Sequence, residues 1–100
     1  MTMAYTIDYT ASAEGDLAVF RTYEQRLIVD AIDQQLVAEP HQETRNRKLL
    51  DSNPLAVWEL RIGRYRVFYD VDTVTRLVLV KAVGWKDHNT LYLRGKEYVL

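Results

Sequence analysis

The sequence contains no cysteine, which excludes a disulfide framework and any thiolate metal site. It has only two histidines, and no His or carboxylate pair stands at metal-ligand spacing, so no metal is expected. The four glycines are scattered, so no glycine-rich loop can cradle a phosphate or a dinucleotide. The run Leu77-Val78-Leu79-Val80 is as long as any apolar run, far short of a membrane span. The opening Met1-Thr2-Met3-Ala4-Tyr5 lacks the basic and apolar regions of a leader peptide. These absences point to a cofactor-free, cytoplasmic protein without a membrane role.

What is present fits one soluble domain over residues 1–100, with 48% hydrophobic and 27% charged residues. The net charge of −1 is uneven along the chain. Residues 1–40 carry seven acids and two bases (net −5), and residues 41–100 carry eleven bases and seven acids (net +4). A basic second part allows a local phosphate site, although scattered surface charge explains the same count.

Hydrophobic periodicity divides the chain into elements. Residues 4–9 alternate, with Tyr5, Ile7 and Tyr9 on one side, which predicts a strand. Ser12 offers a helix N-cap, with Glu14 and Asp16 in the first turn. Thr22-Tyr23-Glu24-Gln25 has the form of a capping box. Behind it, Tyr23, Leu27, Ile28, Ala31, Ile32 and Leu36 form a stripe at helical spacing, running to about Glu39 before Pro40. A helical hairpin jointed near Arg21 is expected, with one long kinked helix as the alternative. Residues 40–55 read as a polar, irregular loop.

Three alternating segments follow: Val57–Ile62, Arg64–Val71 and Arg76–Gly84. The order is βααβββ with a C-terminal tail. It predicts an α+β fold, a mostly antiparallel four-stranded sheet with two helices on one face. Trp58 and Tyr65 should then be buried against Leu27, Ile28 and Ile32. If Val78, Val80 and Ala82 also point inward, the other sheet face gathers Glu59, Arg61, Arg64, Arg66 and Lys81 around an exposed Phe68. Guanidinium groups bind phosphate bidentately, and an exposed ring can stack a base. The plainer alternative is a solvated face with cross-strand ion pairs.

Several of these residues carry a resemblance. Lys48-Leu49, Trp58-Glu59-Leu60-Arg61, Arg64-Tyr65-Arg66-Val67-Phe68-Tyr69, Val83-Gly84 and Tyr92 occur in the order and spacing of the RelE/ParE toxin superfamily, which the chain resembles over nearly its whole length. The resemblance implies a type II toxin held inactive by a cognate antitoxin in a hetero-oligomer. RelE-like members cut mRNA on the ribosome, whereas ParE-like members poison DNA gyrase without being nucleases. The length from Val83-Gly84 to Tyr92 is similar to the RelE pattern.

On that pattern Arg66 matches the arginine at the scissile phosphate, and Lys86 and Tyr92 match two further site positions. Val57 and Glu59 stand where RelE carries lysines. Related nucleases use Glu or His as the base, so Glu59 or His88 is implied for that role. Metal-free cleavage by 2′-OH attack needs a base, a cation for the phosphorane and an acid for the leaving oxygen. The candidate catalytic residues are therefore Arg66, Arg61, Glu59, Lys86, Tyr92 and His88. Arg45, Arg47, Lys48, Arg64 and Lys81 are candidate RNA contacts. A gyrase inhibitor, or a non-toxic member acting through antitoxin binding, remains the alternative. Charge complementarity predicts that the antitoxin covers the basic sheet face.

Overall fold

The computed structural model describes residues 4–100; Met1 to Met3, part of the opening stretch read above for a leader, lie outside the described residues. Strand β1 (Thr6–Tyr9) is followed by helices α1 (Ala11–Ala18) and α2 (Thr22–Leu36). Strands β2 (Arg47–Leu49), β3 (Trp58–Ile62), β4 (Tyr65–Asp72), β5 (Leu77–Asp87), β6 (Thr90–Leu93) and β7 (Lys96–Tyr98) complete the chain. The fold is α+β, with seven strands where the sequence suggested four. The order is β2-β3-β4-β5-β6-β7, and β1 pairs with β5 in parallel.

The helix starts are each displaced from the sequence reading. Thr10, not Ser12, caps α1, its Oγ1 accepting the Ala13 N–H at 3.1 Å. The second box is shifted by one residue: Arg21 is the N-cap, and its N–H donates to Glu24 Oε1 at 3.2 Å. Gln25 instead reaches back to the Phe20 carbonyl at 2.8 Å. The two helices are separate, as the hairpin reading required. Helix α2 stops at Leu36, and Glu39 soon afterwards takes a left-handed φ of 51°.

One face of the sheet carries both helices. Ile28, Ile32 and Leu36 pack on Leu60, Val67, Tyr69, Val78 and Val80, all fully buried. Trp58 joins them, while Tyr65 is half-buried at the margin. The stripe on α2 is narrower than its spacing suggested. Tyr23 and Leu27 are exposed, and the core position one turn before Ile28 belongs to Glu24. Buried polar bonds fix the layer: the Tyr69 hydroxyl donates to the Pro40 carbonyl at 2.8 Å.

The other face departs most from expectation. Phe68 pairs with Ala82 but Tyr69 pairs with Val80, so Lys81 is an extra residue, a bulge in β5. The bulge inverts the alternation: Val83, not Ala82, joins Val80 on the helix side. The expected tail is a pair of strands. The hairpin of β6 and β7 brings Leu91 and Leu93 against Phe68, Ala82 and Ala56, making a second small core. Phe68, expected as an exposed ring, is fully buried there. Gly84 permits this return: a Cβ would lie 2.2 Å from the Tyr92 carbonyl oxygen and 2.5 Å from Leu93 Cδ2.

Candidate functional site

The register of β2 to β5 builds the site. Lys48 lies opposite Glu59, Arg61 opposite Arg66, and Arg66 opposite Gly84. Alternation then places Lys86 on the same face, diagonal to Arg66. Lys48, Glu59, Arg61, Arg66 and Lys86 thus share the sheet face that the β6–β7 hairpin leaves partly open. Strand β2, in a stretch read as loop, is what adds Lys48 to this group.

Glu59 is buried, and its Oε1 accepts from Arg61 Nε at 3.0 Å. Arg61 keeps 39% of its side chain exposed. Among the described residues Arg66 has no carboxylate partner. Its Nη1 donates to the carbonyls of Gly63 at 2.7 Å and Tyr65 at 2.9 Å, closing the β3–β4 turn. Its Nε is buried without a partner. Burial presses the Arg66 pKa below its ordinary value; Glu59 opposes the shift and Arg61 reinforces it. An under-satisfied guanidinium directly across from a second one is a place for an anion.

The remaining candidates lie elsewhere. Tyr92 is on the opposite face, because it pairs with Trp85 and stacks on it at 5.6 Å with 17° between ring planes. Trp85 in turn meets Phe20 edge-on on the helix side. His88 occupies the β5–β6 turn with a φ of 57° and is almost fully exposed, its Nδ1 2.9 Å from Asp87 Oδ1. Arg45 is exposed in the loop before β2. Lys81 pairs with Asp70 at 3.4 Å. Arg47 points to the helix side and donates to the carbonyls of Gln35 at 2.7 Å and Gln42 at 3.1 Å. Arg64 binds Glu24 Oε2 at 3.1 Å, where the Tyr65 hydroxyl also donates. That Tyr65 hydrogen bond is the main reason the Glu24 pKa falls below its usual range; burial opposes it, and Arg21 N–H and Arg64 add to it.

Another buried carboxylate, Asp16, marks the place where β1 leaves the edge of β5 and β6 joins it. Its Oδ2 accepts the Val83 N–H at 3.0 Å, and its Oδ1 holds Arg94 Nε at 3.0 Å. Arg94, in the β6–β7 turn at φ 54°, thereby ties the hairpin to α1. Sequence patterns carry no signal for this contact, which joins side chains far apart in the chain. Beside it lies a groove of about 800 Å³, lined by Val19, Phe20, Arg21, Arg64 and Trp85 among others. Among the described residues no cluster of His, Asp or Glu is grouped as for a metal, and no helix is long and apolar enough to cross a membrane.

The fold is similar to that of a chain in the crystal structure of the toxin-antitoxin complex RelBE2 from Mycobacterium tuberculosis. The TM-score is 0.74 at 24% identity, covering 86% of this chain and 95% of that one. No curated protein matches the sequence. Residues 7–86 match the family described as ParE toxin of type II toxin-antitoxin system, parDE. That match spans most of the chain and includes the β3–β5 strands carrying Glu59, Arg61, Arg66 and Lys86. The protein therefore belongs to the ParE toxin family of type II toxin–antitoxin systems, within the RelE/ParE superfamily that its sequence resembles.

Proposed function

We propose that this toxin arrests translation by cutting mRNA on the ribosome, with the scissile phosphodiester seated between Arg61 and Arg66. The observation that carries the reading is the state of Arg66: it faces Arg61 across the strands, partly exposed, and among the described residues no carboxylate pairs with it. A phosphate between the partly exposed guanidinium groups relieves the like-charge pair.

The chemistry needs no metal. The ribose 2′-oxygen attacks the adjacent phosphorus, the P–O5′ bond breaks, and a cyclic phosphate remains. Arg66 and Arg61 stabilise the charge that builds on the phosphorane. Glu59 orients Arg61 through Oε1 and, on the same face, is the candidate base for the 2′ proton. Lys86, on the same face, is the candidate donor to the 5′ oxygen. The antitoxin partner covers this basic face with an acidic segment and so blocks the phosphate site; the ribosome places the action in the cytoplasm.

A gyrase-directed toxin is the second reading, and a specific observation favours it. Tyr92 faces the helix side and His88 stands at an exposed turn, so neither supplies proton-transfer chemistry beside Arg66. Induced expression separates the readings. Translation arrest that disappears with Arg66→Ala supports the nuclease. DNA breaks and filamentation support gyrase poisoning. No growth effect points to a member acting only through its antitoxin.

A further inference from the structure

We propose that the outer face of α2 is a self-association surface, on which a second copy of this chain docks about a twofold axis at the level of Ile28. The inference stands apart from the RNA reading, because α2 lies on the sheet face away from Arg61 and Arg66.

The helix leaves a mixed stripe open. Tyr23, Leu27, Asp30 and Gln34 follow one another at spacings of four, three and four, so they share one side of the helix. All four are exposed, Tyr23 by 65% and Leu27 by 46%. Neither apolar side chain serves the core, whose positions on α2 are taken by Glu24, Ile28, Ile32 and Leu36. Beside the stripe runs a groove of about 540 Å³ between α2 and the β3–β4 turn, lined by Leu27, Ala31, Gln34, Ile62 and Tyr65 among others. One helix therefore carries both a ridge and the hollow next to it, as a self-complementary contact requires.

The charges choose the occupant. Residues 1–40 hold seven acids, and Arg26 is one of only two bases among them. Arg26, Asp30 and Asp33 are exposed on α2, and among the described residues none of the three has an ion-pair partner. An acidic segment of the kind that fits the cation face is repelled by Asp30 and Asp33. A basic segment leaves Arg26 facing its own sign. A second copy satisfies both signs.

A twofold crossing α2 sets the two helices antiparallel, so positions equidistant from residue 28 face each other. Arg26 then meets Asp30 of the second copy, and symmetry makes the reciprocal pair. Leu27 lies one residue from the axis and meets its own counterpart. Tyr23 is a turn further out and reaches the second copy's groove at Gln34. The sheet face of Arg61 and Arg66 stays open in both copies. A patch this small belongs with weak, concentration-dependent contacts.

Sedimentation velocity on the whole chain, freed of antitoxin, tests this over roughly 1–100 µM, the range in which weak interfaces populate. The wild type should move from the monomer mass toward twice that mass as concentration rises. Leu27→Asp should stay monomeric. Arg26→Asp and Asp30→Arg each set like charges across the axis and should weaken association about tenfold or more. Mixing these two variants in equal amounts should restore the dimer, because every pair between the copies is then of opposite sign. The double variant Arg26→Asp/Asp30→Arg should dimerise alone. Tm, measured for each, should be unchanged, since all these side chains are exposed. A wild type that is monomeric over the whole range overturns the proposal. A dimer that survives both Leu27→Asp and Arg26→Asp overturns it too, because the contact then lies elsewhere. A mixture as monomeric as its components overturns the Arg26–Asp30 pairing and the axis with it.

Discussion

The helix-covered face of the sheet and the face opposite differ in what holds them. On the first, Ile28, Ile32 and Leu36 meet Leu60, Val67 and Tyr69, local apolar patterns packed by two helices. On the second, Phe68 is covered only because the chain returns as β6 and β7, while Arg61 and Arg66 remain partly open beside it. A side chain's face follows from local alternation. Whether that face meets solvent depends on a segment more than twenty residues away. The comparison teaches that a site beside the second cluster depends on the hairpin for its shape and on register for its charge.

The sharpest way to break this comparison is Gly84→Ala. The new methyl meets backbone of β6, which cannot swing aside as a flexible side chain does. Overpacking of this kind is expected to cost about 3 kcal/mol, roughly 12–24 °C in Tm. Thermal melting checks it, and an unchanged Tm would mean that β6 does not lie over β5 as described. Asp16→Ala attacks the same hairpin from α1. It leaves the buried Val83 N–H without an acceptor and releases Arg94, for an expected loss of about 1–3 kcal/mol in denaturant titration.

These two positions also show how much was legible beforehand. The order of β1, α1, α2, β3, β4 and β5 and the Trp58-to-Ile62 alternation follow from period and turn residues; β2 does not, because its three residues sit in a polar stretch that reads as loop. The bulge at Lys81 does not, because one extra residue leaves both flanking runs alternating normally. Ser12 and Thr10 are equally good caps by type, and only the bond to Ala13 chooses between them. The β6–β7 strands are short and joined by Arg94-Gly95, so they resemble a tail until Leu91 and Leu93 find Phe68. That continuation sent Tyr92 to the wrong side for catalysis. Arg61 and Arg66 were placed together by alternation alone, because no irregularity intervenes between them. Arg47 and Arg64 looked equally available, yet helix carbonyls and Glu24 claim them.

The buried carboxylates Glu24 and Asp16 sharpen the comparison through pH. The Glu24 pKa is lowered on folding, so its stabilisation is full above the unfolded carboxylate pKa and is lost as pH falls through the folded value. Glu24→Gln should therefore melt earlier at neutral pH and show a shallower loss of Tm in acid. Asp16 runs the other way: burial raises its pKa against the Val83 N–H and Arg94. Its contribution is full below the unfolded pKa and declines as pH rises through the folded one. A Glu24→Gln acid limb as steep as the wild type's would contradict the Tyr65 and Arg64 bonds. The smallest effect belongs to His88→Ala. With its ring almost fully exposed at a turn, it should leave both Tm and growth arrest unchanged. A lost arrest would return His88 to the site.

The central claim is that Arg61 and Arg66 hold a phosphodiester for cleavage. Mapping mRNA 5′ ends by primer extension after induction tests it most directly, with wild type and Arg66→Ala compared at equal protein level and with Tm measured for both. The account predicts discrete new ends within translated frames for the wild type. Arg66→Ala should reduce them roughly 10²–10³-fold, the scale of one lost oxyanion contact, while still melting cooperatively. Arrested cells with intact mRNA, or undiminished cleavage by Arg66→Ala, would contradict it.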